Sequence, residues 1–168
     1  MSRLLLQPDL SGNGPVHDVT PASAGWSHVG FALHDLAAGG SVGSDGTADE
    51  ICLVLLSGSA RIIAGNLDTG MLQGRASVFD KVAPHAVYVP MKTVWRVEAG
   101  SDAELAVCRA PGTEGNLPPR LITADDMPLE TRGTGSNVLH VWNILPETEP
   151  ADSLLVVELI TPAGNWSS

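Results

Sequence analysis

Residues 49–64 read DEICLVLLSGSARIIA. The apolar run from Ile51 to Leu56 is bounded by turn signals; it is long enough for a strand and short for a helix. Ser57-Gly58 then predicts a tight hairpin connection, because glycine reaches positive φ without steric cost. Ser59 to Ala64 returns as a second strand, with β-branched Ile62 and Ile63 suited to a pleated surface. A hairpin needs further strands over its apolar face to be stable in water. The flanking sequence has to supply them.

On the N-terminal side, residues 4–8 predict a short strand and 11–25 a loop rich in Gly, Pro and Ser. Residues 26–36 alternate as a strand. Val29, Phe31 and Leu33 share one face, expected in the core; His28, Gly30, Ala32 and His34 share the other, with both histidines expected outward. Residues 37–48 predict a turn-rich connection. On the C-terminal side, a turn at 65–70 and a loop at 80–85 separate strands at 71–79, 86–89, 93–98 and 103–110. Strands at about 8–12-residue spacing are the pattern of an all-β sandwich or barrel. Beyond Pro111, residues 113–137 are polar and broken by Pro and Gly, and predict a linker or long surface loop. Two more strands, 138–145 and 153–161, form a hairpin whose second strand is apolar on both faces except for Glu158. Such runs belong to strands covered on both sides, so this hairpin is expected to bury itself on the first barrel or on a neighbouring chain, and a homo-oligomer is expected.

Composition narrows the function classes. The chain has 168 residues, 43% of them hydrophobic, enough for one globular domain with a core or for one domain plus part of another. Its net charge is −10 and its only lysines are Lys81 and Lys92. Non-specific nucleic-acid binding needs a cationic field, so no nucleic-acid partner is expected. No apolar run approaches the roughly 20 residues of a membrane helix, and the N-terminal residues lack a signal-peptide core and cleavage site. No membrane partner is expected, and these absences predict a cytoplasmic protein. Cys52 and Cys108 each lie in an apolar strand-like run, which predicts two buried, reduced thiols rather than a disulfide.

A family resemblance rests on several segments taken in order. An apolar strand followed by a glycine turn, with a Pro90 element some way downstream, looks like a cupin jelly-roll barrel. More narrowly, CLVLLSG (52–58), GRASVF (74–79), AVYVP (86–90), DAELAVC (102–108), RGTGSN (132–137), NILPE (143–147) and ADSLLVVELITPAGNWSS (151–168) resemble the 5-deoxy-glucuronate isomerases of myo-inositol catabolism, a two-cupin sugar isomerase family. The resemblance implies an all-β fold, a cupin-like jelly-roll barrel plus an incomplete second cupin. Residues 1–112 would be a metal-free first barrel, 113–137 a linker, and 138–168 the opening hairpin of the second cupin. It also implies conversion of the sugar acid 5-deoxy-glucuronate to 2-deoxy-5-keto-gluconate, an aldose–ketose isomerisation, with a divalent metal held in the missing part of the second cupin.

The cupin ligand pattern can be set on the first barrel directly. The paired histidine positions fall on Asp45 and Thr47, or on Ser44 and Gly46; the glutamate position falls on Ile51 and the last histidine on Trp95. The motif glycine is Lys92. Only Asp45 is of a ligand type, whereas a divalent metal needs several imidazole or carboxylate groups. Ile51 and Trp95 are expected to meet and fill the barrel. Glu50, one residue out of register, is expected to face the other way. His17, His85 and His140 show no metal spacing, and no nucleophile constellation or phosphate-cradling loop is legible. No catalytic or metal-binding residue is therefore assigned, no cofactor is expected in this chain, and the chain alone is expected to be inactive. The alternative is a stand-alone, non-catalytic cupin module, structural or small-sugar-binding.

Overall fold

The structure, a computed structural model, describes residues 5–12 and 14–167. The expected first strand begins at residue 4, outside the described residues, and residues 5–8 form no strand. The strands are β1 (His17–Val19), β2 (Gly30–Leu36), β3 (Ser41–Ser44), β4 (Asp49–Ser57), β5 (Ser59–Ala64), β6 (Leu67–Gln73), β7 (His85–Val89), β8 (Trp95–Ala99) and β9 (Ala103–Pro111). They continue as β10 (Arg120–Ile122), β11 (Leu129–Arg132), β12 (Leu139–Leu145) and β13 (Val156–Ile160). A single helical turn, α1 (Pro21–Ala24), is capped by Thr20. Among the described residues, no helix is long and apolar enough to cross a membrane.

Two antiparallel sheets enclose the first core. One has the order β1-β2-β9-β4-β7-β10 and the other β3-β8-β5-β6. The chain is all-β, as expected, yet its central stretch is not a hairpin. β4 pairs with β7 and β9, while β5 pairs with β6 and β8 in the opposite sheet. Gly58 is the corner between the sheets, at φ 81°. A Cβ there would lie 2.2 Å from the Asp102 carbonyl oxygen, so the crossing requires glycine. Residues 50–55 are all buried because β4 is covered on both faces. Ile51, Leu53 and Leu55 point into the barrel; Cys52 and Val54 point outward under a second core.

The alternation of β2 is present, but its faces are reversed. Ala32 is buried inward, whereas Val29 is 54% and Phe31 37% exposed on the outside. Small residues fit the inside because β9 lies close: a Cβ on Gly30 would meet Arg109 at 3.3 Å. His34 consequently points into the barrel and is half-buried, against expectation, while His28 is exposed. Residues 37–48 contain strand β3, paired to β8. β6 begins earlier than expected, directly after the Gly65-Asn66 turn, and ends before Gly74.

The polar stretch 113–137 also carries regular structure. β10 extends the first sheet beside β7, a single 3-10 turn spans Ala124–Asp126, and β11 pairs with β12. β11, β12 and β13 form a third sheet. Its Trp142, Ile144, Leu145 and Val156 join Cys52, Val54, Tyr88 and Ala106 in the second core, so the late hairpin packs on the outside of the first barrel. Each fully buried large apolar side chain contributes about 1.5–3 kcal/mol. Cys52 and Cys108 are opposite each other across β4 and β9 as free thiols. Cys52 is buried and Cys108 half-buried; burial pushes both thiols up, Cys108 to about 11.

Candidate functional site

The inside of the first barrel is graded along its axis. Leu53, Leu55, Ile62, Val87, Val97 and Leu105 make one end wholly apolar. At the other end, β1, β2, β4 and β9 bring Asp18, His34, Asp49 and Arg109 around a cavity of about 260 Å³, with Ile51 and Trp95 in its wall. Register explains the grouping: Arg109 is opposite Gly30 on one side and Ile51 on the other, and Asp18 is opposite Ala32. Arg109 Nη2 donates to Asp18 Oδ1. Burial pushes His34 below the ordinary histidine value, Asp18 opposes this, and Arg109 adds to it. The indole Nε1 of Trp95 and the Nε of Arg109 are buried without an acceptor among the described residues. A buried donor left unpaired costs about 1–3 kcal/mol.

This geometry tests the metal positions read from the sequence. Ile51 and Trp95 are 4% and 6% exposed within one core cluster, as packed barrel residues should be, although the cavity beside them leaves the barrel incompletely filled. Asp45 and Thr47 are exposed, and Ser44 is opposite Trp95 at the end of β3. Lys92, at the motif glycine, takes the left-handed backbone itself, at φ 61°. An aliphatic chain and an indole N–H offer no lone pair to a cation, so these residues do not fit a divalent ion. The remaining histidines act locally: His85 Nδ1 accepts from Ala124 N at 3.2 Å, and His140 Nδ1 lies 3.1 Å from Thr131 Oγ1.

Two buried charges escaped sequence reasoning. Glu50 faces away from the barrel, as its register required, but it is fully buried. Its carboxylate accepts from Tyr88 Oη at 2.9 Å, Asp152 N at 2.8 Å, Ser153 N at 2.6 Å and Ser153 Oγ at 2.9 Å, and also from Leu154 N. Burial and the adjacent carboxylate push the Tyr88 hydroxyl far up. Asp152 in turn accepts from the backbone N–H groups of Thr113, Glu114 and Gly115, led by Gly115, and these hold its carboxyl below the usual range. The second charge is Arg75. Its buried guanidinium donates to Leu56 O, Val82 O and both oxygens of Glu158. Glu158, the single polar residue in an apolar strand, was the available signal; no local pattern marked Glu50. Together these groups fasten the segment leading into β13, and β13 itself, to the first barrel.

Among the described residues, two grooves outside the barrel bear on binding. One, of about 820 Å³, runs between β2 and β13 and is lined by Val29, Phe31, Cys108, Leu155 and Val157. The other, of about 730 Å³, contains Arg120 and Arg132. Neither arginine is free for an anion: Arg120 binds Glu149 and Pro150 O, and Arg132 binds Glu130 and Asn143.

Comparison with known proteins follows this architecture. A model of the KduI/IolB family matches residues 4–168. The chain belongs to the KduI/IolB family. Among KduI/IolB relatives, the 5-deoxy-glucuronate isomerase of Geobacillus kaustophilus is 49% identical over 170 residues, covering 100% of this chain and 61% of the relative. That of Bacillus subtilis strain 168 is 38% identical over 173 residues, 100% of this chain and 64% of the relative. This chain thus spans about three-fifths of the length of these curated relatives. The crystal structure of an IolB-like protein from Salmonella typhimurium LT2 superposes with a TM-score of 0.88 at 42% identity, over 93% of this chain and 59% of that one. The protein Ylba of E. coli, at 18% identity and a TM-score of 0.56 over 85% of this chain and 55% of its own, shares the fold alone.

Proposed function

We propose that this chain is the scaffold part of a sugar-acid isomerase that converts 5-deoxy-glucuronate to 2-deoxy-5-keto-gluconate in myo-inositol catabolism in the cytoplasm. The observation that carries this reading is the 49% identity, over the whole of this chain, to a protein named 5-deoxy-glucuronate isomerase. The reaction takes a proton from C2 of the aldose and returns one to C1, while C1 becomes a carbinol and C2 a carbonyl. It therefore needs an acid–base group at the substrate. No residue of this chain is assigned that role, and the divalent ion implied by the resemblance would be held outside the residues present here. The part played by this chain is mechanical: Glu50 and Arg75 hold the third sheet against the first barrel.

The same reading includes a homo-oligomer. Leu155, just before β13, and Val157 and Leu159 on it are 62%, 49% and 49% exposed, and among the described residues β13 is an edge strand of its sheet. Such a surface is an association site unless covered. Light scattering is expected to show a dimer or larger, and Val157→Glu to shift it toward monomer.

The function is tested with protein expressed from the complete reading frame that carries this chain. Incubated with 5-deoxy-glucuronate, it is expected to form the ketose, followed by loss of the C1 proton signal in NMR spectra. Absence of the ketose from folded protein, with divalent metal supplied, overturns the isomerase reading.

A further inference from the structure

The two cysteines of the chain, Cys52 and Cys108, come from strands far apart in sequence and meet in register on β4 and β9. Both side chains lie on the outer face of the first sheet, against the second core. Cys52 is buried, whereas Cys108 is half-buried and lines the groove between β2 and β13. β9 is paired on both sides, to β2 and to β4, so the part of Cys108 that shows at the surface is its side chain.

The phase of the β4–β9 pairing sets how close the two residues stand. Gly112 N donates to Ala48 O at 3.0 Å. Hydrogen-bonded pairs recur at every second residue of an antiparallel ladder, so Glu50 with Ala110 and then Cys52 with Cys108 are pairs of this kind. Pro111, which has no N–H, falls on an intervening position where none is needed. The Cα atoms of such a pair are about 5.5 Å apart, inside the roughly 4.4–6.8 Å span of a disulfide. Their Cβ atoms stand at about 5.5 Å, whereas a disulfide holds them about 3.5–4.5 Å apart. Joining the sulfurs therefore tightens the strand pair by roughly 1 Å and leaves strain in the bond. A strained disulfide is readily reduced, which suits a reversible device rather than a permanent staple.

We propose that Cys52 and Cys108 are a reversible thiol–disulfide pair, oxidised in the folded protein by a hydroperoxide entering through the groove, and that the bond ties β4 to β9 beneath the third sheet. The Cys108 thiolate attacks one peroxide oxygen; the O–O bond breaks, Cys108 becomes a sulfenic acid, and water or an alcohol leaves. The Cys52 sulfur then attacks the Cys108 sulfur. The S–O bond breaks, the S–S bond forms, and hydroxide departs as water with the Cys52 proton. Two electrons pass from the thiols to the peroxide, and exchange with an external dithiol returns them. On its other side Cys52 is opposite Tyr88, whose hydroxyl donates to Glu50, so the bond forms next to the fastening of the third sheet. The inference goes beyond the isomerase reading and does not depend on it.

The test treats the fully reduced 168-residue chain with hydrogen peroxide, once circular dichroism shows the β fold. Alkylation in denaturant followed by mass spectrometry reads the outcome. The expected product lacks two hydrogens, takes up no alkylating reagent, and yields one cross-linked peptide pair containing Cys52 and Cys108. Dithiothreitol without denaturant is expected to restore both thiols. Burial pushes Cys108 up to about 11, so the thiolate is scarce, and the oxidation rate should rise about tenfold per pH unit below that value. Cys52→Ser is expected to stop at a Cys108 sulfenic acid that dimedone traps, and Cys108→Ser to leave Cys52 unoxidised; melting curves confirm that both variants are folded. The proposal is overturned if both thiols stay alkylatable after peroxide, if Cys108 runs on to a sulfinic acid without a bridge, if the bridge links two chains, or if its reduction requires denaturant. Oxidation of Cys52 in folded Cys108→Ser overturns it as well.

Discussion

A carboxylate shut away from water is tolerated only where hydrogen bonds replace the water it loses. Glu50 meets that condition through groups on residues 88, 152, 153 and 154, and both of its oxygens are engaged with donors. In Glu50→Gln, one oxygen becomes an NH₂ pointed at N–H or O–H groups. The expected cost is about 2–4 kcal/mol in denaturant melts; a loss under about 0.5 kcal/mol would show that the carboxylate is not the fastening described. His34 gives a pH-dependent expectation. Its folded-state pKa lies below the ordinary 6.5, chiefly through burial. The unfolded chain therefore takes up a proton near pH 6.5 that the folded chain refuses. The contribution of His34 to stability is complete above that pH and is lost as pH falls through the folded-state value. An NMR titration should place the His34 midpoint below 6.5; a midpoint at or above it would mean that Asp18 outweighs burial.

Between β4 and β5, the chain changes sheets within one residue. Gly58 N donates to Arg75 O and Gly74 N to Gly58 O, at 3.0 and 2.8 Å, which ties the corner to the end of β6. Gly58→Ala adds a Cβ against Asp102 O at positive φ. It should cost more than about 2 kcal/mol; a urea-melt difference within about 0.5 kcal/mol would contradict the corner. Strand positions were legible here because burial leaves an apolar pattern. Pairing was not: Ser57-Gly58 suits a hairpin and a corner alike, and only the distant partners β7, β8 and β9 decide between them. The faces of β2 were misread because size, not hydrophobicity, decides which residues sit opposite Arg109. β10 and β11 were invisible for another reason. They are held by main-chain pairing to β7 and β12, which needs no apolar signature.

At the scale of the molecule, the first barrel and the third sheet share one core and two buried charge fastenings. The ordered segments resembling the isomerases were readable along nearly the whole chain, and the family match over residues 4–168 agrees with them. The polar cavity was not readable, because Asp18, His34, Asp49 and Arg109 come from four strands distant in sequence and meet only in the closed barrel. The counted metal-ligand positions there carry Ile51 and Trp95, both buried. Under the proposed function, this chain is support and the isomerisation chemistry lies outside it. The direct measurement is to incubate the purified 168-residue chain with 5-deoxy-glucuronate, with and without added divalent metal ions, once circular dichroism shows the β fold. No 2-deoxy-5-keto-gluconate is predicted in the NMR spectra under either condition; its steady formation by this chain alone would contradict the account.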